Sequence, residues 1–186
     1  MNTFITILLG FFLIMPPCFA VGLNVRFKTA CARGDLEGMK KALEQGASIN
    51  GKDKKDRSCL HLAARAGHIY CVMELVDSGA VLELTNKLGH TPLYLAASRG
   101  HASTVLYLVA RGADPTRKER HGECALHAAS KSGSMEALNA MLWTKPLLDM
   151  RDDAGNTPQE IATIFGHHHI VERLAEAEAA NYRNMR

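Results

Sequence analysis

Glycine recurs at one fixed interval in this chain: Gly34, Gly67, Gly100, Gly133 and Gly166 stand 33 residues apart. A fixed period of this length marks a stacked array of small units rather than a chain folded back on one compact core. A unit of that size cannot bury its own apolar face. Each must pack on its neighbours, and about three units are needed before the array is stable. Five are present.

The copies agree in more than glycine. SCLHLAARAGH begins at Ser58, TPLYLAASRGH at Thr91, CALHAASKSGS at Cys124 and TPQEIATIFGH at Thr157, and a degenerate first copy, RFKTACARGD, ends at Asp35. Thr91 and Thr157 suit a helix N-cap, and Pro92 and Pro158 follow at the first helical position, where a missing N–H costs nothing. Ala63, Ala96, Ala129 and Ala162 recur in mid-helix, where small side chains let units approach closely. The periodic glycine ends this short helix. Apolar residues three and four apart predict a second helix: Val72, Leu75, Val76; then Val105, Leu108, Val109; then Leu138, Met141, Leu142. Gly46, Gly79 and Gly112 close it, and a polar stretch leads to the next unit.

These motifs resemble the ankyrin opening T-P-L-H-x-A-A-x-x-G-H, and 33 is the ankyrin period. The resemblance covers residues 24–180. It implies an all-α solenoid of helix-turn-helix units joined by β-hairpin loops, with repeats at about 24–56, 57–89, 90–122, 123–155 and 156–186. It implies that His61 and His127 bond to backbone and to a neighbouring loop. Its functional implication is a non-catalytic protein–protein interaction module or scaffold, which holds a partner on the concave helix face and the hairpin tips. The end copies read as caps: Lys28 stands where internal copies carry His or Tyr, and LAEAEAANYRNMR suits a solvated last helix.

On that resemblance, the first hairpin tip supplies Lys54 and Lys55, the second Lys87, and the third Arg117, Lys118 and Arg120. The inner helix face supplies Arg65, Tyr94, Arg99, Lys131 and Phe165. Tyr and Arg are enriched in binding hot spots. The excess of cations predicts a partner protein with an acidic surface, steered by charge. Tyr94 is distinctive because His is usual at its position. Ile164 and Phe165 stand where other repeats are polar, at what would be an apolar end of the groove. In repeat four, Lys145 stands in place of the closing glycine and Pro146 follows, and Trp143 is predicted to face outward over Pro146 and Leu147.

Enzymatic readings are weak. Cys59 and Cys124 precede His61 and His127 by two and three residues, as a thiol–imidazole nucleophile would require, but both pairs sit at structural repeat positions. His167, His168 and His169 are consecutive and cannot share one metal. Asp152 and Asp153, in the last loop, have no cleft to separate their pKa values. Phosphate loops, nucleophile elbows and zinc-protease helices are absent from the sequence. The expectation is therefore no catalytic residue, no cofactor and no metal. Net charge of +3 is too small to indicate nucleic acid. A monomer is expected.

The 186 residues, 47% of them apolar, suit one long domain at 21–186. Residues 1–25 carry no charged side chain, and FITILLGFFLIM is followed by Pro16, Pro17 and small residues. This reads as a signal peptide, residues 1–20, cleaved after Ala20, for a secreted or periplasmic product. Its twelve apolar residues fall short of the roughly 20 a membrane span needs. The alternatives are an uncleaved membrane anchor and a cytoplasmic product. Some exported bacterial ankyrin proteins support oxidative-stress defence, which gives the alternative function. Cys31, Cys59, Cys71 and Cys124 read as small core residues rather than disulfide partners. Cys59 and Cys124 are two repeats, about 20 Å, apart, while a disulfide needs Cα atoms within about 7 Å. Free thiols suit a reducing compartment, against the reading of the N-terminus.

Overall fold

The computed structural model describes residues 17–142 and 148–184. Ten helices lie among them. They pair as α1 (Pro17–Arg33) with α2 (Leu36–Glu44), α3 (Cys59–Ala66) with α4 (Ile69–Asp77), and α5 (Pro92–Ala97) with α6 (Ala102–Ala110). The remaining pairs are α7 (Ala125–Ser132) with α8 (Met135–Leu142) and α9 (Pro158–Ile164) with α10 (His168–Asn184). Odd-numbered helices pack in one row and even-numbered helices in another. The chain is an all-α solenoid. The loops that join one helix pair to the next, such as residues 78–91, turn as hairpins and contain no strand among the described residues.

Local chemistry sets the helix ends. Thr91 Oγ1 accepts from Tyr94 N at 3.1 Å, and Thr157 Oγ1 from Glu160 N at 3.2 Å, so each hydroxyl satisfies an otherwise orphan donor. Glu160 returns a carboxylate oxygen to Thr157 N at 2.6 Å, completing a capping box. In α3 and α7 histidine plays the carboxylate's part: His61 Nδ1 accepts from Ser58 N at 3.1 Å, and His127 Nδ1 from Cys124 N at 3.2 Å. With Nδ1 accepting, the proton sits on Nε2. That nitrogen donates to the next repeat, His61 to His90 O and His127 to Asn156 O, both at 3.1 Å. In the first repeat Lys28 stands at this position, and its Nζ donates to Lys52 O in its own repeat's loop at 2.7 Å.

A second inter-repeat joint explains the glycine period. Gly67 has φ +75°, a left-handed conformation that ends α3. The His101 ring lies against it so closely that a Cβ would meet Nδ1 at 2.6 Å. His101 Nε2 then donates to Arg65 O at 3.0 Å. His68 and His167 repeat the arrangement, donating to Ala32 O and Lys131 O at 3.2 Å. The joint between repeats three and four lacks both histidines. Ser134 stands where the ring would lie on Gly100, its hydroxyl 3.5 Å from Gly100 O, and Tyr94 replaces the helix-cap His.

Between the two helix rows runs one apolar core. Leu60, Leu93 and Leu126 come from the inner helices, and Leu75, Leu108, Leu138, Met141 and Leu174 from the outer helices. Each is at most 1% exposed, and burying one such side chain stabilises the fold by about 1.5–3 kcal/mol. Ala63, Ala96, Ala129 and Ala162 are fully buried where inner helices meet. Cys31, Cys59, Cys71 and Cys124 are free and buried. The neighbouring Cys59 thiol, together with burial, pushes the Cys31 thiol's pKa up, a proximity between repeats one and two that spacing did not suggest. Residues 1–16, which include most of the expected signal segment, and residues 143–147, with Trp143, Lys145 and Pro146, lie outside the described residues. Among the described residues no helix is long and apolar enough to cross a membrane.

Candidate functional site

Each hairpin is closed by one acceptor side chain at its tip. Asp53 Oδ1 accepts from Lys55 N and Arg57 N at 2.8 and 2.9 Å, and Asn86 Oδ1 from Leu88 N and His90 N at 2.8 and 3.1 Å. Glu119 Oε1 accepts from His121 N and Glu123 N at 2.6 and 3.2 Å, and Asp152 Oδ1 from Asn156 N at 2.8 Å. These turns hold the tip side chains outward. Successive tips are then bonded to one another: Lys87 N to Lys55 O, Arg120 N to Leu88 O and Asp153 N to His121 O, at 3.1, 3.3 and 2.9 Å. The tips form one continuous row beside the inner helices.

Between that row and helices α3, α5 and α7 lies an open cleft of about 740 Å³. Lys55 and Lys87 border it from the tips, and Arg65, Arg99 and Lys131 from the inner helices. Tyr94, Leu95 and Ala128 contribute apolar surface, and Ser98 and Ser132 contribute hydroxyls. Among the described residues no carboxylate lines it. Arg57 is bound to Asp53 at 2.7 Å, and Lys131 sits 3.5 Å from Glu123. Lys55, Arg65, Lys87 and Arg99 have no carboxylate within salt-bridge distance among the described residues.

Tyr94 is held from two sides. Its ring stacks on His90 with centroids 4.4 Å apart, and its hydroxyl donates to Glu123 Oε2 at 2.5 Å. Burial, then the bond to Glu123, pushes the phenol's pKa well above the usual tyrosine range. Glu123 Oε1 receives Lys131, whose ammonium also lies 5.5 Å from the centre of the Phe165 ring. Burial holds His90 below the ordinary imidazole pKa, although Glu119 Oε2 is 3.7 Å from its Nε2.

Six of the residues expected at the site are brought together at the cleft: Lys55, Arg65, Lys87, Tyr94, Arg99 and Lys131. The other five lie off its lining. Lys118 Nζ is tied to Arg151 O at 2.7 Å, where it links repeats three and four, and Arg117 lies 3.7 Å from Glu83. Lys54 and Arg120 are exposed at tips, and Phe165 is 47% exposed beyond the cleft. Sequence reasoning missed His90 and Leu95. The period could have found His90, since Arg57, His90, Glu123 and Asn156 occupy one position in successive repeats.

The Cys–His arrangement has the wrong electrostatics for a nucleophile. Cys124 Sγ lies 3.1 Å from His127 Nδ1, but burial raises the thiol pKa and lowers the imidazole pKa. An activated pair needs the reverse. Cys124 is a helix cap in the place of Ser58 and Thr91. His167 and His169 are spent on Lys131 O and Gly133 O, at 3.2 and 3.1 Å. Among the described residues no three His, Cys, Asp or Glu side chains are grouped to hold a metal ion.

A family model described as ankyrin repeats (3 copies) matches residues 27–119. No curated protein matches the chain.

Proposed function

Since the chain belongs to the ankyrin-repeat family, whose domains are generally protein–protein interaction modules, we propose that it binds a partner protein without catalysis, through the concave cleft. The observation that carries this reading is the open cleft, flanked by tips and inner helices, with four bordering cations, Lys55, Arg65, Lys87 and Arg99, that have no salt-bridge partner among the described residues. Ankyrin repeats serve many partners, so the site and not the fold must identify this one. Photo-cross-linking tests the reading. A photoreactive side chain at Ser98, inside the cleft, traps the partner in native cells, and one at Tyr70, exposed on an outer helix, does not. Trapping from Tyr70 alone would refute it.

The apolar run from Phe4 to Met15 supports export as the proposed location. N-terminal sequencing of the native protein tests this: a mature chain starting at Val21 supports export, and an intact Met1 in the membrane fraction supports a tether. The exported form is also the basis for the alternative role in oxidative-stress defence, which a peroxide-sensitive deletion strain would support.

A further inference from the structure

We infer that the cleft takes an acidic segment of the partner in extended conformation, its carboxylates distributed along the groove. This rests on the cleft being the protein-binding surface and names what occupies it. The first ground is charge. Lys55, Arg65, Lys87 and Arg99 are all exposed and all border the cleft, and among the described residues they have no carboxylate within salt-bridge distance and no acid lines the cleft to repel an incoming one. Glu123, the nearest candidate, already holds the Tyr94 hydroxyl and faces Lys131.

The second ground is layout. The cations stand in two rows, tips on one side and inner helices on the other, with Tyr94, Leu95 and Ala128 between them. A segment lying lengthwise would place carboxylates toward both rows and its backbone or an apolar side chain over the middle. Adjacent helix pairs are about 10 Å apart. An extended chain rises about 3.1–3.4 Å per residue, so every third residue meets the next repeat.

A nucleic acid strand fits less well. Single-strand sites use several aromatic faces as stacking platforms. Among the described residues Tyr94 is the one aromatic lining the cleft besides His90, and these two rings already stack on each other.

Fluorescence anisotropy with labelled twelve-residue peptides tests the proposal on the full chain. One probe carries Glu at every third position, its twin carries Gln at those positions, and labelled oligodeoxythymidylate is the third probe. The expected result is Glu-peptide binding that weakens with salt, with the Gln twin at least tenfold weaker. Arg65→Glu with Arg99→Glu should lose at least tenfold for the Glu peptide while keeping the wild-type urea midpoint. If the double variant unfolds, Arg65→Gln with Arg99→Gln replaces it. Equal binding of the Glu and Gln peptides overturns the acidic occupant but leaves the cleft as a protein-binding surface. Equal binding of the oligonucleotide shows a general polyanion site and overturns the proposal. Absence of peptide binding up to millimolar concentration overturns it too, while trapping at Ser98 would still uphold the cleft.

Discussion

Tyr94 reaches across a repeat boundary to Glu123 at 2.5 Å, whereas His61 and His127, one repeat to either side, reach backbone carbonyls. The phenol is longer than an imidazole and ends in one hydroxyl, so it meets a side chain rather than the main chain. Tyr94→Phe removes the donor and leaves Glu123, whose side chain is 14% exposed, with Lys131 alone. The expected cost is about 1.5 kcal/mol, read as a lower urea midpoint at unchanged m-value.

Gly67 and Gly79 both have positive φ, +75° and +89°, but differ in surroundings. A Cβ on Gly67 meets the His101 ring, while one on Gly79 meets nothing within 4 Å. Gly79→Ala should therefore cost only the backbone strain, about 1 kcal/mol, and Gly67→Ala about 3 kcal/mol, from denaturation of both variants side by side. Equal losses would mean that the ring simply moves aside.

Acid should weaken the fold through its buried imidazoles. Burial lowers His61 from 6.5 to about 4, and burial lowers His127 and His90 as well. The unfolded chain then binds more protons than the folded one, so stability rises with pH. For His61 the contribution is complete above pH 6.5 and falls away between pH 6.5 and about 4, on the order of 3 kcal/mol in all. Urea titrations at pH 7 and pH 4.5 should show this loss, and His61→Gln should flatten the dependence in that window.

Buried thiols should be chemically silent until the fold opens. In a Cys18→Ser background, a thiol reagent at pH 8 should label none of Cys31, Cys59, Cys71 and Cys124 within minutes, and all four in denaturant. Fast labelling of Cys124 in the native protein would contradict its role as a buried cap.

The fold was legible in the sequence because its determinants are local and repeat. Gly67, Thr91 and Pro92 act within their own turns, and the period multiplied the signal. Half the candidate site was legible for the same reason: Arg65 and Arg99 follow from helix register. The bond from Lys118 to Arg151 O was not legible because a charged tip residue gives no sign of which carbonyl it will reach 33 positions away. His90 and Leu95 escaped notice because they act through neighbours, His90 by stacking on Tyr94 and Leu95 by lining the cleft. The Cys31–Cys59 contact joins two different repeat positions, so no register argument could supply it.

Three of the four junctions in this array use ring-to-carbonyl bonds, as at His68, His101 and His167. The junction between repeats three and four uses Tyr94, Glu123 and Lys131 instead, and it lies beneath the cleft. The solenoid is thus a spring with one coil of different material, and charge brought into the groove meets at that coil the same ammonium, Lys131, that faces Glu123.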